Sequence, residues 1–543
     1  MVPHSPFKRM RSHLFFYFPP LYPISVNKQR AWTGVSLVVL MNMKVAEVGT
    51  ILVITFNIQP VPVMTDPERE VTNMSTETLS WLNKDLFQEV LQQSEQDLTI
   101  TVTDVSAELA VGKGENYTSV LHRVRVTFKR DTSFDQESLS LIIKTLSDNK
   151  VMRMFYMNSH AYEKEDHFYK VLLPKIQRLI REKLDMERVQ MLTARYYPTK
   201  RPEIIILEDL SKLGFRVADR RRGLDLNHCT LALQALARFH ALTTVLVAEE
   251  PGMVENYPES YFSEDHRAIN NMYLPRTYES LSDIVGGWPG FERFADKIRG
   301  KSDHIIGTLN KLVKPKEGAF NVLNHGDFWV NNMMFRYDEV TEEVKDIRLI
   351  DFQIIRYGSP ALDLQCFLTT SPNDEVRETK VDQLLEEYHS ALTDTLRLLG
   401  MSPDLYSLET LKKEFNDCSL FGLNNAVVVF CAVVADPSDR IDVDSLTEEM
   451  MKSGEQSNHL GKAFNGERFR NSFQKLLLYM EKRGILTMSE PILRYKRAHN
   501  TSLYMLTPRV HHHRHQKYLI ADTKSISSLI PKESPTADTR RTP

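Results

Sequence analysis

Cysteine is scarce in this chain of 543 residues: Cys229, Cys366, Cys418 and Cys431 are the only four, widely spaced and without a C-x-x-C pair. That excludes a disulfide framework and a cysteine-rich zinc module, and it points to buried free thiols in a reducing compartment. No apolar run reaches the ~20 residues needed to span a bilayer. Val35 to Leu40 and Ile51 to Phe56 are short, with Lys44 and Glu47 between them, so stable membrane insertion is not expected. Excess positive charge is missing too. Net charge is −3; residues 1–63 carry +5 and 491–543 carry +7, which leaves −15 on the body between them. An acidic body does not suit binding to a phosphate backbone, so nucleic acid is not an expected partner. No internal repeat is visible. What is present, 42% hydrophobic and 26% charged residues, suffices for a large buried core.

Four segments are expected. Residues 1–75 read as a poorly ordered leader: Lys8, Arg9 and Arg11 ahead of Leu14 to Phe18 imitate a secretory signal, but Pro19 and Pro20 cut the apolar run short. Met64 and Met74 are alternative starts within or near it. Residues 491–543, rich in Ser, Thr, Pro and basic residues, read as a disordered tail whose His511, His512, His513 and His515 are incidental as metal ligands. Between them, 76–210 reads as a small β-rich lobe and 211–490 as a helical one.

Within the first lobe, an amphipathic helix is expected over Thr76 to Leu91 and a strand over Thr99 to Leu109. Val120, Val124, Val126 and Phe128 alternate with Arg123, Arg125 and Thr127 beyond the glycine-bearing turn Gly112 to Asn116, which is a hairpin pattern. Leu139 to Leu146 is a third strand and contains Lys144. Tyr162, Glu165, Tyr169, Leu172 and Ile176 follow at helical spacing and set a carboxylate in an apolar stripe. A buried Glu165 needs a partner, because an unpaired charge is too costly to bury. Ile204 to Leu207 reads as a strand. Helices are expected over Leu231 to Leu246, Phe291 to Leu312, Val381 to Leu399, Phe415 to Val434 and Glu467 to Arg483; the apolar run Ala426 to Ala435 is too short for a membrane span and reads as core.

The most informative stretch is Asn324-His325-Gly326-Asp327-Phe328-Trp329-Val330-Asn331-Asn332, followed by Ile350-Asp351-Phe352-Gln353. Phosphoryl transfer needs a carboxylate for the attacking hydroxyl, oxygen ligands for Mg²⁺ and cations for the phosphates. Asp327 suits the first demand, and Asn332, five residues on, with Asp351 suits the second. Taken singly, each signal has a plainer reading. Gly112-x-Gly114 is a hairpin turn, Lys144 an ordinary sheet residue, Glu165 a partner for any base, and the two aspartates turn residues. Their order decides otherwise: a Gly-rich hairpin, Lys144 thirty residues beyond Gly114, Glu165 another 21 on, then the Asp-x4-Asn loop and an Asp-Phe pair 24 residues after Asp327. This is a protein-kinase-like succession. Gly326 replaces the Arg expected between His and Asp of a protein kinase, Gln353 replaces the Gly after Asp-Phe, and no Ala-Pro-Glu follows, so proteins are not the expected acceptors.

These motifs resemble the choline kinase and aminoglycoside phosphotransferase superfamily. Gly112-Lys113-Gly114-Glu115-Asn116, Glu165-x-x-Phe168-Tyr169, Leu207-Glu208-Asp209-Leu210, the His-Gly-Asp-Phe-Trp-Val-Asn-Asn loop, Asp351-Phe352-Gln353 and Ala361-Leu362-Asp363-Leu364 together resemble the ecdysteroid kinase-like (CHK-domain) family of arthropods, over about 76–485. The resemblance implies an α/β (α+β) bilobal protein-kinase-like fold, a small β-rich N-lobe and a large helical C-lobe, with ATP between. It implies phosphorylation of a hydroxyl on a small lipophilic molecule, ecdysteroids foremost; the sparse cysteines add the expectation of a cytoplasmic location. By position the resemblance makes Asp327 the base. Lys144, paired with Glu165, contacts the phosphates. Gly112, Gly114, Asn116 and Ser119 cover them, and Glu208 to Leu210 form the hinge at adenine. Asn332 and Asp351 become the Mg²⁺ ligands, with Asn331 able to exchange roles with Asn332, and Asp363 braces the catalytic loop. Two rivals stand beside this: a choline- or aminoglycoside-type kinase, and a catalytically silent ligand-binding pseudokinase. The acceptor pocket is expected from helices within 255–315 and 415–480.

Overall fold

The computed structural model describes residues 81–486 apart from 111–118, 133–134, 185–191, 260, 263–265, 440–444, 446, 448 and 451–455. All of these lie in one unit, Leu79–Pro543. The leader, the tail and the Gly112 to Asn116 turn fall outside the described residues.

The first helix, α1 (Lys84–Glu95), begins later than the sequence pattern suggests, because Asn83 caps it by accepting a hydrogen bond from the Leu86 amide. Strands β1 (Thr101–Leu109), β2 (Ser119–Lys129), β3 (Glu137–Leu146), β4 (Tyr196–Tyr197) and β5 (Ile204–Glu208) form an antiparallel sheet in the order β1-β2-β3-β5-β4. Alternation sorts their side chains. Val124, Val126, Leu141, Ile143 and Ile206 pack with Phe87, Val90 and Leu91 of α1, whereas Ile205 and Leu207 join the main core on the other face. Lys144 lies opposite Leu121 of β2 and has the parity of Ile142, away from α1. The pleat therefore delivers the lysine to the inner face.

Against that face run α2 (Lys150–Asn158), α3 (Ala161–His167), a π-turn (Phe168–Leu172) and α4 (Leu173–Lys183). Of the predicted stripe, Glu165, Tyr169, Leu172 and Ile176 are buried and Tyr162 is half-buried. The helical part is built on α5 (Leu226–Glu249), which packs along the helix Val381–Leu398. By length and composition α5 could cross a membrane, yet 67% of its apolar window is buried in the core. Two expected helices are broken. Phe291 to Leu312 divides into Glu292–Ser302 and Ile305–Leu312, and Phe415 to Val434 into pieces ending at Asp417, Val428 and Val434. Apolar periodicity runs through these joints because the core continues past them; it does not report a local change of axis.

Two small sheets frame the loop of interest. Here β6 (Phe215–Arg216), β8 (Met333–Tyr337) and β9 (Val344–Leu349) form one, and β7 (Val322–Asn324) pairs with β10 (Arg356–Gly358) in the other. The loop 325–332 joins β7 to β8, and Asp351 follows β9. The fold is mixed helix and sheet, a small β-rich lobe and a large helical one.

Candidate active site

A cavity of about 590 Å³ is lined from both lobes: Ile142, Lys144 and Glu165 on one side, Asp327, Asn332 and Asp351 on the other, and Leu207 to Ser211 at the connecting strand end. At its centre the Lys144 Nζ donates to Glu165 Oε2 at 2.6 Å and to Asp351 Oδ1 at 2.5 Å. Burial opposes the ammonium's charge, but the Asp351 and Glu165 carboxylates outweigh it and hold its pKa well above the usual lysine value. Burial lifts Glu165 more than Lys144 lowers it, with Asp351 adding to the rise. Lys144 therefore stays ionised, and Glu165, at 1% exposure, is pushed toward protonation.

Asp351 adopts the left-handed backbone conformation, φ +69°, unusual for a residue with a side chain. Side-chain contacts hold it there. Its Oδ1 takes Lys144, its Oδ2 accepts from Gln353 Nε2 at 3.2 Å, and the next residue, Phe352, stacks on Phe168 at 3.7 Å between ring centres. Asn332 donates through Nδ2 to both the backbone oxygen and Oδ2 of Asp327, each at 2.8 Å, which leaves Oδ1 as the atom it can offer a metal. Its carbonyl accepts the Ile350 amide at 3.0 Å, so the two candidate metal ligands are joined through the backbone. Asn331 also lines the cavity, with its Oδ1 buried and without a hydrogen-bond partner among the described residues. Asp327 is half-buried. Burial first, then the charge of Asp351, raises its carboxyl to about 6.

The loop is braced from behind. Asp363, on the helix Ala361–Thr370, accepts the amides of His325 at 2.6 Å and Gly326 at 2.9 Å, and is met by His240 Nε2 at 3.2 Å. Buried His325 is kept neutral by desolvation; its Nε2 donates to the Ile350 carbonyl at 3.0 Å. Gly326 explains the departure from the protein-kinase pattern. With φ +89°, a Cβ there would lie 1.9 Å from the Ile354 carbonyl oxygen, so no other residue fits. Gly326→Ala is expected to abolish turnover and to lower the melting temperature, by a destabilisation of about 1–3 kcal/mol for the strained backbone alone; thermal unfolding and ATP-dependent activity of the variant check it.

The remaining predicted residues separate into three groups. Glu208 and Leu210 line the cavity. Between them Asp209, also on the cavity wall, accepts from Arg123 Nε at 2.9 Å and Ser140 Oγ at 2.7 Å, and so fixes the strand end. Ser119 begins β2, buried opposite Leu146, and is not among the residues that line this cavity. Gly112, Gly114 and Asn116 lie outside the described residues. Of the stretches expected to form the acceptor pocket, Tyr261 alone among the described residues reaches this cavity, and none of 415–480 does. Tyr261 lies in no periodic pattern that would mark it in the sequence; its Ser159 contact and the nearby Asp327 become visible only in three dimensions.

The ecdysteroid kinase-like family model matches residues 113–401, more than half of the chain. This chain belongs to the ecdysteroid kinase-like family. The motif loop, Lys144, Glu165 and Asp363 all fall within the matched span of this family member. A curated relative, the 4-hydroxytryptamine kinase of Psilocybe cyanescens, is 30% identical over 90 residues, 16% of this chain and 25% of that protein. The chain thus spans about a quarter of the length of the curated relative it matches. Solved structures similar to it include a choline kinase from Cryptosporidium parvum Iowa II, at 13% identity over 74% of this chain and 98% of that one with a TM-score of 0.37. A Plasmodium vivax ethanolamine kinase is 12% identical over 68% of this chain and 84% of that one, with a TM-score of 0.32.

Proposed function

We propose that this protein is an ATP- and Mg²⁺-dependent phosphotransferase that phosphorylates a hydroxyl of a small lipophilic molecule, with ecdysteroids as the acceptor class. The observation that carries this reading is the bridging of Glu165 and Asp351 by Lys144 in the cavity that also holds Asp327 hydrogen-bonded to Asn332. In it, Asp327 orients the acceptor hydroxyl and takes its proton as the oxygen bonds to the terminal phosphorus and ADP leaves. Lys144, aimed by Glu165, faces the phosphates, and Glu208 to Leu210 present backbone groups to adenine.

The donor set suits Mg²⁺. Asn332 and Asp351 offer it oxygen, and among the described residues no group of three or more His, Cys, Asp or Glu could hold a metal unaided. A cation that keeps few protein ligands and completes its shell with phosphate and water matches that sparse provision. When bound it would neutralise charge on the phosphates.

Of the six carboxylates lining the cavity, Glu165 and Asp351 are engaged by Lys144, Asp209 by Arg123 and Asp219 by Arg221, while Glu208 and Asp327 have no ion pair among the described residues. The choice of an apolar alcohol over a cationic acceptor therefore rests on the family and not on the charge of the cavity. Four buried free thiols suit a reducing compartment, and a cytoplasmic location is part of the proposal. The test is an acceptor screen with ATP, Mg²⁺ and the full chain, products identified by mass. Ecdysone phosphate is the expected product; no phosphate ester from ecdysone, other sterols, choline, an amino sugar or 4-hydroxytryptamine would defeat the enzymatic reading.

A further inference from the structure

The brace behind the catalytic loop has a further member. His240, on α5, turns Nε2 to Asp363 and Nδ1 to the hydroxyl of Tyr388, on the helix Val381–Leu398, at 2.7 Å with the rings edge to face. Tyr388, His240 and Asp363 have no exposed surface, and none of them lines the cavity. They form one chain of hydrogen bonds that ends on the amides of His325 and Gly326, the two residues ahead of the proposed base Asp327. Tyr388 and Asp363 lie 148 and 123 positions from His240, so the chain exists only in the packed fold.

What each atom can donate fixes the direction of the chain. Burial opposes a charge on Asp363, but the hydrogen bond from His240, with the Arg356 cation adding to it, outweighs burial and holds the carboxyl below its usual value. An ionised carboxylate only accepts, so Nε2 carries the proton. A neutral imidazole then leaves Nδ1 bare, and the Tyr388 O–H donates to it. The other two arrangements each strand a group. A proton on Nδ1 alone would turn the Nε2 lone pair on the carboxylate. Protons on both nitrogens would leave the Tyr388 hydrogen without an acceptor, because Nδ1 is the one hydrogen-bond partner of that hydroxyl among the described residues.

We infer that Tyr388 is a positioning residue: its hydroxyl sets the tautomer and tilt of His240, so that Nε2–H completes the three donors through which Asp363 holds the catalytic loop. At 3.2 Å the His240 bond is the longest on Asp363, against 2.6 and 2.9 Å for the two amides. It is the first to go when the ring is free to turn. Without the hydroxyl, Nδ1 is a bare acceptor where solvent does not reach, and the ring gains by turning toward any other donor. Asp363 then loses its one side-chain donor among the described residues, and the loop amides lose a fixed carboxylate. The effect on turnover rests on the proposed reading of Asp327 as the base; the effect on the loop amides does not.

Amide hydrogen exchange of the full chain at His325 and Gly326 tests the hold on the loop. In Tyr388→Phe, protection there should fall about tenfold further than at the amides of α5, the worth of roughly one hydrogen bond. His240→Leu should do the same, and adding Tyr388→Phe to it should cost these two amides nothing more, because the hydroxyl has no ring left to set. Spectra of the wild type labelled with ¹⁵N-histidine read the tautomer directly. The His240 signal, identified by its loss in His240→Leu, should show a proton on Nε2 and none on Nδ1. Turnover with ecdysone should fall in Tyr388→Phe by up to about 10²-fold, the usual cost of a misplacement of about 1 Å. Wild-type turnover in that variant, or a proton found on Nδ1, overturns the proposal. Losses that add in the double variant, or equal losses at the loop and across α5, make the hydroxyl a structural one and overturn it too. The exchange and ¹⁵N measurements need no turnover, so an acceptor screen without product defeats the enzymatic reading and leaves them to decide this one.

Discussion

Asp327→Asn is expected to slow phosphoryl transfer by about 10²- to 10⁴-fold, the usual yield of a positioned general base. ATP affinity should hold. The amide oxygen of the variant can still accept from Asn332 Nδ2, which keeps the loop in place. The pH profile supplies a second signature. Burial and the Asp351 charge raise Asp327 to about 6, and the working base is the ionised form. Single-turnover rates should therefore climb about tenfold per unit below pH 6 and level off above 7, and this limb should disappear in the variant. Stability should move the other way. A carboxyl whose folded pKa lies above its unfolded value of 3.8 is destabilising above about pH 6, and that cost disappears as pH falls below 3.8. Asp327→Asn should thus raise the melting temperature at pH 7 and leave it unchanged near pH 3. An unaltered turnover would put the base elsewhere.

Lys144→Met carries the largest expected loss of stability. Removing the ammonium leaves Glu165, 1% exposed, and Asp351, 19% exposed, as two carboxylates facing the same gap. Breaking a buried charge pair at one partner costs about 3–5 kcal/mol. Glu165 can limit the loss by taking a proton, so the deficit should grow as pH rises through neutrality. Affinity for ATP should fall about ten- to a hundredfold, the worth of one or two charge-assisted hydrogen bonds. The double variant Lys144→Met/Glu165→Gln separates the two effects. It removes one stranded charge, so denaturant unfolding should show part of the stability regained, while ATP affinity stays low. Affinity returning with stability would mean that Lys144 serves the fold and not the phosphates.

Much of this site is legible in the residue string because its parts obey short-range rules. Alternation in β3 places Lys144 on the face opposite Leu141 and Ile143, and the 3.6-residue period places Glu165 in a buried stripe. The Asp-x4-Asn spacing brings Asn332 back to Asp327 across one 3₁₀ turn. Other features have no short-range signal. Gly326 reads as a turn glycine until the Ile354 carbonyl is found against it. The positive φ of Asp351 follows from contacts with Lys144, Gln353 and the Phe168–Phe352 stack. The breaks at Asp417 and Val428 are hidden because a buried helix stays apolar on either side of a bend.

What the order of residues determined alone is the set of elements and the kinds of side chain each offers, since both depend on neighbours a few positions apart. Which of those side chains share a cavity was decided by the tertiary structure. Lys144 and Asp351 are 207 positions apart, and only the packing of the sheet, α3 and the β8–β9 ribbon brings them to 2.5 Å. The same packing chose Tyr261 as a wall and tied Asp209 to Arg123 at the strand end. Such contacts arise where surfaces from distant segments meet, and no local pattern records which surfaces will meet.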